Sequence, residues 1–278
     1  MLRCFVRLAI AVTALALVPA SARAQGRLDA RYAASLAGMS IGTGAWFIDI
    51  SEGRYTAAAS GTTAGLLRVF TGGHGSTAVR GAINNGNLVP ATYAATITAG
   101  KTTEEMRIEL SGGNVREITV DPPLRLHPGR IPITDAHLRG ILDPMSASLA
   151  RVSGNGAPVS AEACDRALAV FDGHLRYGLQ LAFKRLDHVR TPKGYEGPVV
   201  VCALYFTPIA GHIPDRAAIR YLARQRDIEV WLAPIAGTRF LVPHRITIPT
   251  PLGLGALQAT QFVSVPQPRL TPTSATPQ

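Results

Sequence analysis

Met106-Arg107-Ile108-Glu109-Leu110-Ser111-Gly112-Gly113-Asn114-Val115-Arg116-Glu117-Ile118-Thr119-Val120-Asp121 is the stretch that decides the fold. Met106, Ile108 and Leu110 alternate with Arg107, Glu109 and Ser111, a glycine pair interrupts, and Ile118 and Val120 resume the apolar face. Successive strand residues point to opposite faces, so alternation on both sides of a glycine turn predicts a β-hairpin.

The same grammar extends outward. Thr77 to Ile83 meets Pro90 to Thr98 across Asn84-Asn85-Gly86-Asn87, where Asn-Gly supplies positive φ cheaply. Strands near Leu28 to Leu36, Ile41 to Ile50 and Tyr55 to Ser60 precede it, which makes residues 25–122 a meander closed by Asp121-Pro122-Pro123. Between Thr134 and Val152 the spacing of Leu138, Ile141 and Leu142 is helical and is broken by Asp143-Pro144, giving two short helices. Strands return over residues 160–265, around Leu168 to Phe171, Leu175 to Lys184, Pro198 to Pro208, Ile228 to Pro234, Phe240 to Ile248 and Leu254 to Val265. Asp172-Gly173 reads as a hairpin turn, and Pro214 to Arg224 as a helix with Asp215 in its first turn. The expectation is a mainly β protein, an antiparallel curved sheet or half-barrel built from two meanders with a few short helices. It forms one domain over residues 25–265, followed by a Pro/Thr/Ser-rich disordered tail at 266–278.

Residues 1–24 carry Arg3 and Arg7, an apolar stretch from Leu8 to Val18, and Ala22-Arg23-Ala24. This is the pattern of a cleaved signal peptide, because the stretch is about 11 residues against the roughly 20 a membrane helix needs. Cys4 sits in the basic region, which argues against a lipid anchor, so the expected compartment is the periplasm. Cleavage removes three arginines and no acidic residue, taking the net charge from +10 to +7. The cations are almost all arginine, with only Lys101, Lys184 and Lys193 as lysines, and they are not clustered with aromatics as nucleic-acid binding requires. Anionic lipid or envelope polysaccharide suits the sign better. Cys164 and Cys202 are the two cysteines left, and an even count in an exported chain favours a disulfide over two buried thiols. Their separation of 38 is far from a redox Cys-x-x-Cys.

Cys164, Val170-Phe171-Asp172-Gly173, Arg176-Tyr177, Gly194-Tyr195-Glu196-Gly197, Val201-Cys202, Tyr205, Trp231-Leu232 and Pro243-His244-Arg245-Ile246 resemble the exported bacterial proteins grouped as domain-of-unknown-function family 3108. Tyr32, Gly38, Ile41-Gly42, Thr63-Ala64-Gly65-Leu66 and Pro90 are similar to that family's opening meander. The resemblance implies a mostly antiparallel β fold in the periplasm, and it carries over no catalytic residue.

No motif specifies a reaction or a cofactor. Gly38-Met39-Ser40-Ile41-Gly42 matches Gly-x-Ser-x-Gly, but a nucleophile elbow needs a helix after the serine and here strand pattern follows. The histidines at 74, 127, 137, 174, 188, 212 and 244 show no metal-ligand spacing, so no metal is expected unless His174, His188, His212 and His244 converge in the fold. Gly72-Gly73-His74-Gly75-Ser76 could form an anion-binding nest but reads better as a loop. Arg216, Arg220 and Arg224, four residues apart on one helix, make a basic stripe able to meet an anionic membrane surface or simply to be solvated.

Tyr55-Thr-Ala-Ala-Ala-Ser-Gly61 and Ala91-Thr-Tyr-Ala-Ala-Thr-Ile-Thr98 place Ala and Thr where packed sheets favour larger residues. Either a helix approaches closely, or the curved sheet leaves an apolar hollow near Tyr55, Ala58, Tyr93 and Ala94. The second reading makes the protein a non-enzymatic binder of lipid or another apolar or amphipathic envelope molecule. The first makes it an envelope structural or protein-interaction module, and a hydrolase assembled only in the fold is the third. Nothing in the sequence fixes the oligomeric state.

Overall fold

The computed structural model describes residues 25–63, 73–123 and 127–267. Seven strands make the first half: β1 (Gly26–Leu36), β2 (Met39–Ser51), β3 (Arg54–Thr63), β4 (Gly73–Asn84), β5 (Asn87–Ala99), β6 (Thr102–Ser111) and β7 (Asn114–Asp121). A connecting segment holds a 3-10 turn (Asp135–Leu138), helix α1 (Pro144–Ala147) and the short strand β8 (Ala150–Arg151). The second half contains a 3-10 turn (Ala161–Cys164), β9 (Arg166–Phe171), β10 (Arg176–Arg190), β11 (Lys193–Gly194), β12 (Glu196–Ala210), helix α2 (Ala217–Arg224), β13 (Glu229–Pro234), β14 (Phe240–Thr250) and β15 (Gly253–Pro266).

The fifteen strands of the described residues join one sheet, in the order β7-β6-β5-β4-β3-β2-β1-β15-β14-β13-β12-β10-β9, with β8 on β14 and β11 on β15. Every pairing is antiparallel except β11 with β15. The predicted hairpins are present. Asn85 and Gly86 take the two positive-φ positions between β4 and β5, and Gly112 and Gly113 do so between β6 and β7. The remaining turn of this kind, Ala37-Gly38, joins β1 to β2. Helix α2 starts three residues later than its sequence pattern suggests. Pro214 and Asp215 lie ahead of it, where Asp215 pairs with Arg220 across 3.5 Å.

Bulges at Ala34/Ser35, Arg80/Gly81 and Glu109/Leu110 increase the twist of the first half, as an extra residue on one strand does. The outer strands β7 and β9 stay unpaired with each other, and a single segment spans the gap. Ile141 N–H donates to Gly113 O (2.8 Å), Leu142 N–H to Ala169 O (2.8 Å), and Phe171 N–H to Leu142 O (3.0 Å).

The chain then turns into the concavity as α1, started by Asp143, whose carboxylate accepts the Ser146 N–H at 2.9 Å. Met145 and Leu149 enter the main core beside Leu28, Ile48, Tyr55, Val79, Tyr93 and Ile108. Tyr55 OH meets Ser146 Oγ at 2.6 Å, and Ser146 Oγ donates to Asp143, so this buried polar string has a partner at each step. Burial holds the Asp143 carboxyl above the usual carboxylate range. The eight-residue apolar run Val199 to Phe206 follows from a second core on the other side of the sheet. On β12, Val199 and Val201 face the main core while Val200 and Cys202 face Leu181, Val230, Leu232 and Leu241. Cys202 is disulfide-bonded to Cys164 with the Cα atoms 5.5 Å apart, which ties the 3-10 turn down as a lid over this second core.

The glycines of the second half act through close approach. A Cβ on Gly194, at φ +110, would lie 2.1 Å from Phe262 O, so only glycine lets β11 pair with β15.

Two stability predictions follow from these contacts. Reducing the Cys164–Cys202 bond should lower unfolding stability by about 2–5 kcal/mol in denaturant titration, and native protein should show no alkylatable thiol. His244 is fully buried with its Nε2 2.8 Å from Thr191 Oγ1, and burial pushes its imidazole down to about 4. The unfolded chain, with an ordinary value near 6.5, therefore binds the extra proton between about pH 6.5 and 4. Its contribution is complete above that window and is lost as pH falls through it, on the order of 2–3 kcal/mol. Asp143 titrates with the opposite sign, so the measurement is the difference between wild type and His244→Gln, which should narrow from pH 7 to pH 4.

Candidate functional site

Register decides which small residues face inward. Ile48, Ala57, Val79, Tyr93 and Ile108 are successive partners across β2 to β6 and form one buried row. The next row, Phe47, Ala58, Ala78, Ala94 and Arg107, points the other way. Tyr55 and Tyr93 thus lie in the interior, where α1 packs on β3 and β4 and fills the space beside them. Burial raises both hydroxyls above the usual tyrosine range. Ala58 and Ala94 lie instead on the outer face, in a shallow trough of about 420 Å³ with Phe47, Ala78 and the Asp29–Arg31 pair. The four residues singled out in the sequence are therefore split between a filled interior and an outer trough. Alternation is uninformative across three identical alanines.

An open hollow lies further along the same strands. Inward of Tyr32 on β1, the row Gly44, Gly61, Gly75 and Ile97 carries almost no side chain. With Trp46, Ala59, Ala34 and Leu257 it bounds a concavity of about 670 Å³. Among the described residues no lysine, arginine or carboxylate lines it. Tyr32 stacks obliquely on Trp46 with ring centroids 6.3 Å apart and donates its OH to Pro243 O at 2.7 Å, so the floor is fixed to β14. Trp46 Nε1 is buried and has no hydrogen-bond partner among the described residues. An indole N–H in that state costs free energy that an acceptor on a ligand recovers. Ile97 stays 50% exposed at the rim. The arrangement can hold an elongated apolar group with one acceptor near the indole.

The other candidates fall elsewhere. Arg220 and Arg224 are exposed on α2 and Arg216 is exposed just ahead of it, and the helix is tethered through Tyr221 OH to Pro249 O at 3.1 Å. Gly73 to Ser76 open strand β4 rather than forming a nest, and Gly72 lies outside the described residues, as do residues 1–24 and 268–278. Ser40 is exposed on β2 directly after the Gly38 turn, with strand and no helix beyond it. Of the four second-half histidines, His188 is exposed on β10, His244 is buried, and His174 and His212 share a pocket. No group of three or more His, Cys, Asp or Glu able to hold a metal occurs among the described residues. Two hydroxyls have acid–base neighbours, Thr191 with His244 and Ser146 with Asp143. All four groups are buried, and a base held near 4 is a weak one at neutral pH.

The fold and the hollow define a β protein with a strongly curved, unclosed sheet. The family model "Protein of unknown function (DUF3108)" matches residues 31–260, and the chain belongs to that family. No curated protein matches it. Among solved structures it is similar to the beta-barrel-like protein of domain of unknown function DUF1849 from Brucella abortus, at 10% identity and a TM-score of 0.45, over 87% of this chain and 98% of that one. No helix among the described residues is long and apolar enough to cross a membrane.

The register yields a paired prediction. Ala57→Phe should destabilise the protein by about 1–3 kcal/mol, because a ring must be forced into the filled interior, whereas Ala58→Phe on the outer face should change stability by under about 1 kcal/mol. Thermal unfolding of the two variants checks the order, and the reverse order would overturn the assignment of faces.

Proposed function

We propose that this chain is an exported, periplasmic, non-enzymatic protein, folded as one domain over residues 25–265, that binds an apolar or amphipathic envelope molecule in the hollow beneath Trp46. One observation carries the reading: the interior is packed by α1 at one end and faced with Gly44, Gly61 and Gly75 at the other. The leader pattern at residues 1–24 and the Cys164–Cys202 disulfide support an oxidising exported compartment. The outer trough with Phe47, 42% exposed, favours a second reading, a docking module without a small ligand.

Gly61→Leu separates the two. Among the described residues a Cβ there would meet only Thr43 O, at 3.5 Å, so the side chain would extend into the hollow without strain. The variant should fold normally and bind the apolar dye N-phenyl-1-naphthylamine at least tenfold more weakly than wild type. Lipid co-purifying with the wild-type periplasmic protein, read by mass spectrometry, should be depleted in parallel. Undiminished dye binding, or no lipid on wild type, favours the docking module.

A further inference from the structure

A smaller concavity of about 320 Å³ lies where the two halves meet, lined by Glu104, Arg130, His174, His212 and Arg216. Its walls come from distant parts of the chain and are held by specific contacts. Asp172 Oδ1 accepts the N–H groups of His174 (2.9 Å) and Leu175 (2.7 Å), which sets the turn carrying His174. Ile131 N–H donates to His212 O (2.9 Å) and Gly211 N–H to Ile131 O (2.8 Å), which brings Arg130 beside His212. Gly211 stands at φ +80, and a Cβ there would lie 1.9 Å from His174 O, so only glycine allows the two histidine turns to approach.

The polar groups of this pocket are incompletely used. His174 Nε2 lies 2.7 Å from Glu104 Oε1, but its Nδ1 is buried without a partner among the described residues, as are His212 Nδ1 and Arg130 Nε. His212 is only 8% exposed. Neither Arg130 nor Arg216 forms an ion pair among the described residues, where the remaining α2 pair is Arg220 with Asp215. Two guanidinium groups thus face one carboxylate, which His174 already engages, and the pocket is net positive before either imidazole is protonated.

We propose that this pocket binds a phosphate group. Two arginines and two imidazoles around one concavity, with a single carboxylate among them, match an anion with several acceptor oxygens, and arginine forks suit phosphate geometry. A lone solvated arginine stripe would leave the imidazoles and Arg130 Nε unexplained. The phosphate has two conceivable sources, a free ion or the headgroup of an amphiphile. Glu104 is the direct cross-strand partner of Ile97, which lines the apolar hollow, so a headgroup here and a chain there would be neighbours. The pocket itself stands whether or not the hollow is occupied.

The test is calorimetric titration of the mature chain with sodium phosphate at neutral pH, against sodium chloride of equal ionic strength. One saturable site is expected. Arg130→Gln and His212→Gln should weaken it at least tenfold while retaining the wild-type circular dichroism spectrum, and Arg54→Gln, exposed at the start of β3, should leave it unchanged. If both pocket variants misfold, Arg216→Gln, at the exposed start of α2, carries the same expectation. Dihexanoyl phosphatidic acid below its micelle concentration distinguishes the sources. Binding at least tenfold tighter than inorganic phosphate, with the excess erased by Gly61→Leu, assigns the headgroup, and equal affinity assigns the free ion. Absence of saturable binding by both probes, or affinities unmoved by the folded pocket variants, overturns the proposal. Loss of dye binding in Gly61→Leu with phosphate binding intact would leave it standing.

Discussion

The pairing of β1 with β15 is the constraint on which the rest of the molecule depends. Its partners lie from 219 residues apart (Leu36 with Gly255) to 240 (Gly26 with Pro266), and it alone makes two meanders into one sheet. Each meander is built from local hairpins that cost little loop entropy, whereas this ladder must bring the chain ends together. Once formed, it gives β1 neighbours on both edges and places Tyr32 where its hydroxyl reaches Pro243 O on β14. The inner faces of the halves then share one core, with Leu28 and Ile48 from one side and Val199, Trp231 and Phe262 from the other.

A curved sheet of this size encloses more volume than its own side chains occupy, and the chain treats the two ends of that volume differently. At one end the connecting segment is drawn inside, and the Tyr55–Ser146–Asp143 string satisfies the polar groups that entry would otherwise strand. The same segment spans the gap between β7 and β9 through Ile141 and Leu142, so one stretch serves as both seam and plug. At the other end nothing among the described residues takes that role, and the wall is glycine, Trp46 and Ile97.

Much of the fold was legible because its signals are local. Alternation at Met106 to Leu110 and the Asn85-Gly86 turn act within a few residues, and those elements formed where the signals put them. Ile141 and Leu142, spaced as in a helix, instead run as a non-helical seam with Leu142 bridged to Val170. Asp143-Pro144 starts α1 rather than breaking a helix, because an Asp cap followed by proline at the first helical position is a start signal. The disulfide was legible from the count of cysteines rather than from their positions. What depended on register was not legible. Ala57, Ala58 and Ala59 are interchangeable in sequence, and only their pairing with Ile48, Phe47 and Trp46 separates the filled interior from the outer trough. The two-residue strands β8 and β11 are too short to show a period. Glu104 and His174 come together across 70 residues with no motif linking them, and Trp46 Nε1 lacks a partner among the described residues because of how distant segments pack, which no sequence pattern encodes.

The glycines of β2 to β4 show how far backbone geometry alone can account for the open end. At Gly42 a Cβ would lie 2.7 Å from Thr62 O, so the sheet itself demands glycine. At Gly44 and Gly75 the nearest backbone oxygens would be 3.3 and 3.1 Å away, tight but within reach of a small adjustment. At Gly61 the only neighbour among the described residues is at 3.5 Å, and none of the last three glycines has the positive φ that excludes other residues. Glycine in a strand interior costs roughly 0.5–1 kcal/mol relative to alanine, and a larger apolar residue would also cover Trp46 and bury more surface. Stability therefore favours filling the hollow at Gly61, and the backbone permits it. What glycine preserves at that position is the space in front of it.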